Sequence, residues 1–142
     1  MSERISFFKD AIKFKLEKRK ELRKWINDVV LSEKCNVEWI NFVFCHDSII
    51  ADMNNKYLNH NTLTDILTFS FHESGPDICG EIYISVQRVK ENALKYKVSF
   101  ENELHRIMIH GILHLLGYKD STKREKEIMR QKENFYLTFL FQ

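Results

Sequence analysis

Apolar positions recur along this chain in two alternating periods, one of two residues and one near 3.6. Ile5 to Phe8 is a short apolar run that predicts a first strand. Leu16, Leu22, Trp25, Ile26, Val29 and Val30 then fall at helical spacing, which predicts an amphipathic helix over 16–33. Val37 to Phe44 is β-branched and aromatic, with Glu38 and Asn41 as its only polar members, and reads as a largely buried strand. Asp47 or Ser48 can cap a helix running to about Leu58. Thr64 to Phe71 and Gly80 to Ser85 are two further strands. The turn-rich stretch His72 to Asp77 between them predicts a hairpin. Val86 to Lys97 reads as a helix. Ser99 caps the next, with Glu101 and Glu103 suiting its positive start. Ser121 or Thr122 caps a last helix from Lys123, which ends in the aromatic packing tail Phe135 to Phe141. The order β-α-β-α-β-β-α-α-α predicts an α+β fold, a small mixed sheet of about four strands covered by about five helices.

The chemistry concentrates in one of these helices. His110 and His114 lie four residues apart inside an apolar helical pattern, so both imidazoles share one face and can reach one metal ion. Gly117 can take the left-handed conformation that ends the helix, and the returning chain offers Asp120 as a third ligand. Three protein ligands and an open position are the pattern of a catalytic zinc site. The competing reading is a pair of buried core histidines. His105 lies roughly 140° from His110 around the helix and cannot share the ion. His46, His60, His72 and His105 read as structural or surface residues.

Composition narrows the setting. The 142 residues suit a single domain over 1–142, and the 44% hydrophobic content suits a folded globular chain. No run of about 18 apolar residues occurs, so no membrane span is expected. The N-terminus lacks the apolar core of a secretory signal. Cys35, Cys45 and Cys79 are odd in number and lack CxxC spacing, so they read as free thiols in a reducing cytoplasm. The net charge of +2 leaves nucleic-acid binding to local patches. Residues 9–24 form one such patch, with eight Lys/Arg against three acids. Lys13, Lys20 and Lys24 are its candidate RNA contacts; the alternative is a solvated helix face.

HGILHLLGY, from His110 to Tyr118, is very close to the signature of the YbeY family of bacterial rRNA-maturation endoribonucleases. Thr64 to Phe69 resembles that family's TDVLSF strand, and Gly80 to Ser85 its GDIxIS strand. Asn54 and Tyr57 fall where it has LNxxYR. The resemblance runs from about residue 53 to residue 120. It implies one compact domain with a metal site in a cleft between a helix and the sheet. It also implies cleavage of single-stranded RNA, with 16S rRNA 3′-end maturation and ribosome quality control as the setting. Ribosomal RNA and the small ribosomal subunit would then be the partners.

Three departures from the family stand out. The family arginine four residues after the LN asparagine is Leu58 here. Arg88 and Arg106 are the candidate replacements as phosphate clamps, and a surface pairing of Arg106 with Glu103 or Asn102 is the alternative. The family's last motif histidine is Asp120, preceded by Lys119. Glu81 stands where the family has Asp, either behind the ligands or as a plain edge residue.

A bound divalent ion, with zinc expected at one per chain, lowers the pKa of water and polarises a phosphoryl or peptide oxygen, so the metal alone does not choose a substrate. HExxH proteases need a glutamate as base at the second motif position, which is Gly111 here. The family resemblance, and not the motif spacing, implies a metal-dependent endoribonuclease. The HxxGxxD ending keeps a metzincin-like zinc protease as one alternative. Leu58 keeps a metal-stabilised RNA- or ribosome-binding factor without turnover as another.

Overall fold

The computed structural model describes residues 4–57, 65–72 and 75–141. The chain runs β1 (Ile5–Lys9), α1 (Arg19–Ser32), β2 (Asn36–Cys45), α2 (Asp47–Tyr57), β3 (Ile66–Ser70), β4 (Asp77–Ser85), α3 (Val86–Tyr96), α4 (Phe100–Leu115) and α5 (Lys123–Leu137). A short 3₁₀ turn, Thr138–Phe141, follows α5. This is the order read from the periodicity. The four strands form one mixed sheet in the order β1-β2-β4-β3. β1 and β4 flank β2 in parallel, and β3 pairs antiparallel with β4 as the expected hairpin.

The apolar period decides which face is covered. Ile40, Phe42, Phe44, Ile78, Ile82 and Ile84 point to one face and are fully buried beneath the helices. All six apolar positions read on the first helical pattern are buried, from Leu16 to Val30. On the opposite face α2 covers Cys45 and Leu67 through Ile50, Ile49 and Met53. The aromatic tail closes the first face. Trp25 Nε1 donates to the carbonyl oxygen of Tyr136 at 2.7 Å, and Tyr136 is 1% exposed.

Several boundaries differ from the sequence reading. Helix α1 starts at Arg19, not 16, because Lys18 at its N-cap takes a left-handed conformation (φ 59°). Lys13 therefore lies in the connection ahead of the helix. Strand β4 starts three residues before Gly80, since Ile78 and Cys79 pair with Val37 and Trp39. Gly80 sits mid-strand for a packing reason. A Cβ there would lie 2.5 Å from the Phe69 carbonyl oxygen and 2.6 Å from Leu115 of α4. Of the alternative caps, Thr122 is the one used. Its hydroxyl accepts from Glu125 N, and Glu125 answers with a bond from Thr122 N, closing a capping box. Ser99 caps α4 as expected. Leu58, His60 and Thr64 lie outside the described residues.

Candidate metal centre

Helix α4 sits on the sheet through Gly111. A Cβ at this position would lie 2.9 Å from Ile82 Cγ2 and 3.1 Å from Ile66 Cδ1, so glycine allows this approach without displacing either side chain. His110 and His114 flank that contact line and look along the edge strand β3. The helix then ends in a Schellman motif, with Gly117 N donating to His114 O and Tyr118 N to Leu113 O, each at 3.0 Å. Gly117 has φ +103°, the left-handed turn expected of it. The chain reverses there, and Asp120 arrives opposite the two imidazoles.

The three side chains converge, and their ligand atoms all lie within 4.8 Å of one another. His110 Nε2 is 3.0 Å from His114 Nε2 and 3.1 Å from Asp120 Oδ2, which is 3.4 Å from His114 Nε2. A tetrahedral zinc with ligands at about 2.0–2.2 Å has donor–donor edges of about 3.3–3.6 Å, so this triangle is near the size an ion needs.

The other ring nitrogens show which lone pairs face inward. His110 Nδ1 is 2.7 Å from Glu133 Oε2, and His114 Nδ1 is 3.0 Å from the carbonyl oxygen of Tyr118. Carboxylate and carbonyl accept only, so each Nδ1 carries the proton and donates it. Both Nε2 lone pairs and a carboxylate oxygen are then aimed at one point, an arrangement that a positive charge satisfies. This donor set fits a borderline divalent ion such as zinc.

Around the cluster lies a cleft of about 720 Å³, bounded by Asp65, Ile66, Thr68 and Ser70 from the β3 side and by Gly117 to Asp120 from the turn. The imidazoles are half-buried and Asp120 is more open, which leaves the cluster accessible on the cleft side. Thr68 Oγ1, on the cleft wall, is the only buried side-chain polar atom without a hydrogen bond among the described residues.

Electrostatics follow from this packing. Burial pulls the His110 pKa down, but the hydrogen bond and charge of Glu133 outweigh it and leave it raised. His114 is lowered by burial and by the neighbouring His110, against Asp120. Burial would raise Glu133, yet the bonds from His110 and Arg106 hold it below the usual carboxylate range. Asp65 is raised, chiefly by burial, despite an amide bond from Asn92 at 3.0 Å.

The other candidate residues lie as follows. Arg106 donates to Glu133 Oε1 and Asn134 Oδ1, both at 2.9 Å, so it grips α5 and not the Glu103 or Asn102 of its own helix. Arg88 donates to Asp47 at 3.1 Å and does not line the cleft. Lys13, Lys20 and Lys24 are exposed, none of them lines the cleft, and Lys24 pairs with Asp28 at 2.8 Å. Glu81 accepts from Tyr83 at 3.4 Å. His105 is buried, edge-on to Trp25. Cys35, Cys45 and Cys79 are free. Among the described residues no helix is long and apolar enough to cross a membrane.

The sequence pattern does not single out Glu133 or Glu33. Glu33 accepts from Tyr118 Oη at 2.5 Å, from Lys132 Nζ at 3.1 Å and from Tyr136 Oη, tying the metal turn to α1 and α5. One signal for Glu133 does exist. It falls at i+4 between Met129 and Tyr136 on the buried stripe of α5, and a glutamate on such a stripe needs a partner.

An α+β fold with a His-His-carboxylate cluster in a cleft between helix and edge strand defines the class, a candidate metal-dependent hydrolase. The chain matches the family described as endoribonuclease YbeY over residues 4–140 and belongs to that family, a family of RNA-cutting enzymes. It is 48% identical to the endoribonuclease YbeY of Amoebophilus asiaticus, covering 94% of this chain and 90% of that one. It is 43% identical to that of Cytophaga hutchinsonii, covering 96% and 95%. The solution structure of TM1509 from Thermotoga maritima is similar in fold, with a TM-score of 0.65 and 27% identity over 96% of this chain and 89% of that one.

Proposed function

We propose that residues 1–142 act as one YbeY-like domain, a cytoplasmic, single-strand-specific, metal-dependent endoribonuclease. Its setting is 16S rRNA 3′-end maturation and ribosome quality control, with rRNA and the small ribosomal subunit as partners. One zinc ion per chain is held by His110, His114 and Asp120. The observation that carries this reading is the convergence of two inward lone pairs and a carboxylate at the open side of a cleft, in a chain of an endoribonuclease family.

When bound, a divalent ion there supplies Lewis acidity and a water of lowered pKa. The chain's own groups do the rest. Lys119 lines the cleft and offers a cation to a phosphate bound there. Asp65 lines the same cleft, and its raised pKa suits proton transfer to or from the reacting oxygen.

Gly111 weighs against the protease alternative. Its Cα faces Ile82 and Ile66, so a glutamate there would enter the helix–sheet contact and not the cleft. Incubation with total rRNA and with casein, with and without chelator, tests the proposal. Chelator-sensitive RNA cleavage with intact casein is expected. Chelator-sensitive proteolysis without RNA cleavage would establish the protease. Ribosome binding with neither activity would establish a binding factor.

A further inference from the structure

We propose that Glu133 is a positioning residue that sets metal affinity by fixing His110, a role that rests on the metal site proposed above. Glu133 is 5% exposed, and a buried carboxylate is retained only when its oxygens are engaged. Both are. Oε2 accepts from His110 Nδ1 at 2.7 Å, and Oε1 accepts from Arg106 at 2.9 Å. Arg106 lies one helical turn before His110, so two side chains of α4 hold one carboxylate of α5 from the same side. Asn134 Oδ1 holds the second guanidinium nitrogen at 2.9 Å, which fixes the fork in place.

The consequence is directional. An imidazole ring can turn over about its Cβ–Cγ bond and exchange which nitrogen faces the cleft. With an acceptor-only group at 2.7 Å, Nδ1 keeps the proton and Nε2 keeps the lone pair beside His114 and Asp120. A carboxylate behind a ligating histidine also raises its basicity. His114 has no equivalent side chain behind it, since its Nδ1 meets the backbone carbonyl of Tyr118. Glu133 is thus the one side chain among the described residues that orders an imidazole of the cluster through Nδ1. If Glu133 served only as an ion pair joining α4 to α5, its removal would lower stability and leave metal affinity unchanged.

The test is a zinc titration of the purified chain against a competing chelator, with urea unfolding of the metal-free form as control. Glu133→Ala should weaken zinc binding about 10- to 100-fold. Glu133→Gln keeps one acceptor oxygen but must turn its NH2 toward either His110 or Arg106, so its zinc binding should fall between the native chain and Glu133→Ala. Nitrogen-15 spectra of the zinc-loaded native chain should show a proton on His110 Nδ1 and none on Nε2, a result independent of how any variant folds. Zinc binding by folded Glu133→Ala within about twofold of native would overturn the proposal. So would zinc on His110 Nδ1. A native chain that binds no zinc would refute the metal site itself, whereas native binding unaffected by Glu133→Ala would refute only this role.

Discussion

His114 Nδ1 lies 3.0 Å from the carbonyl oxygen of Tyr118, whose hydroxyl in turn donates to Glu33 at 2.5 Å. One residue thus orients a candidate ligand through its backbone and anchors the turn carrying Asp120 through its side chain. Tyr118→Phe should keep the first bond and lose the second. Glu33 retains Tyr136 and Lys132, so the cost should be near the lower end of the range for a hydrogen bond to a charged group, which is about 1.5–3 kcal/mol, read by urea unfolding. Zinc affinity should fall far less than in His114→Ala. Equal losses in the two variants would mean that the Glu33 knot, and not the carbonyl, holds the site.

Gly111 offers a stability test. The added methyl of Gly111→Ala meets Ile82 Cγ2 at 2.9 Å and Ile66 Cδ1 at 3.1 Å, so these side chains or α4 itself must shift. Overpacking of this kind costs about 1–3 kcal/mol, which denaturant unfolding would register. A neutral or stabilising alanine would show that the contact is slack.

His105 sets part of the acid response. Burial among apolar groups, with Lys18 adding to it against Glu101, holds its pKa below the ordinary 6.5. The unfolded chain therefore takes up this proton first as pH falls. Its contribution is fully present above about pH 6.5 and is lost as pH drops from there toward the folded-state pKa. His105→Gln should flatten the dependence of unfolding free energy on pH between 7 and 5. Identical slopes for native and variant would remove His105 from the account.

The basic patch is tested by salt. If Lys13 and Lys20 contact phosphates, replacing each should weaken binding to all single strands alike. Each loss should reduce the slope of log affinity against log salt by roughly 0.7. Lys24, paired with Asp28, should contribute less. Unchanged slopes would return Lys13 and the basic face of α1 to a solvated surface.

Much of this architecture was legible because it is periodic. Leu22, Trp25, Ile26, Val29 and Val30 mark the buried face of α1 by spacing alone, and Gly117 marks the helix end by its backbone freedom. The start of α1 was less legible. Leu16 is buried without being helical, and hydrophobicity reports burial, not dihedral angles. The histidine pair and Asp120 were readable because α4 and one turn bring them together locally. The partners behind them were not. Glu133 is 23 residues from His110, and Glu33 is 85 from Tyr118. Those contacts exist only once α1, α4 and α5 have docked, and no local pattern encodes that docking.

Metal content of the purified chain tests the central claim most directly. Elemental analysis should find about one zinc or similar divalent ion per native chain and essentially none in the His110→Ala/His114→Ala double variant. Asp120→His should keep its ion, since imidazole is also a zinc ligand. Full metal occupancy in the folded double variant would contradict the account, because the ion would then reside somewhere other than the cleft beside β3.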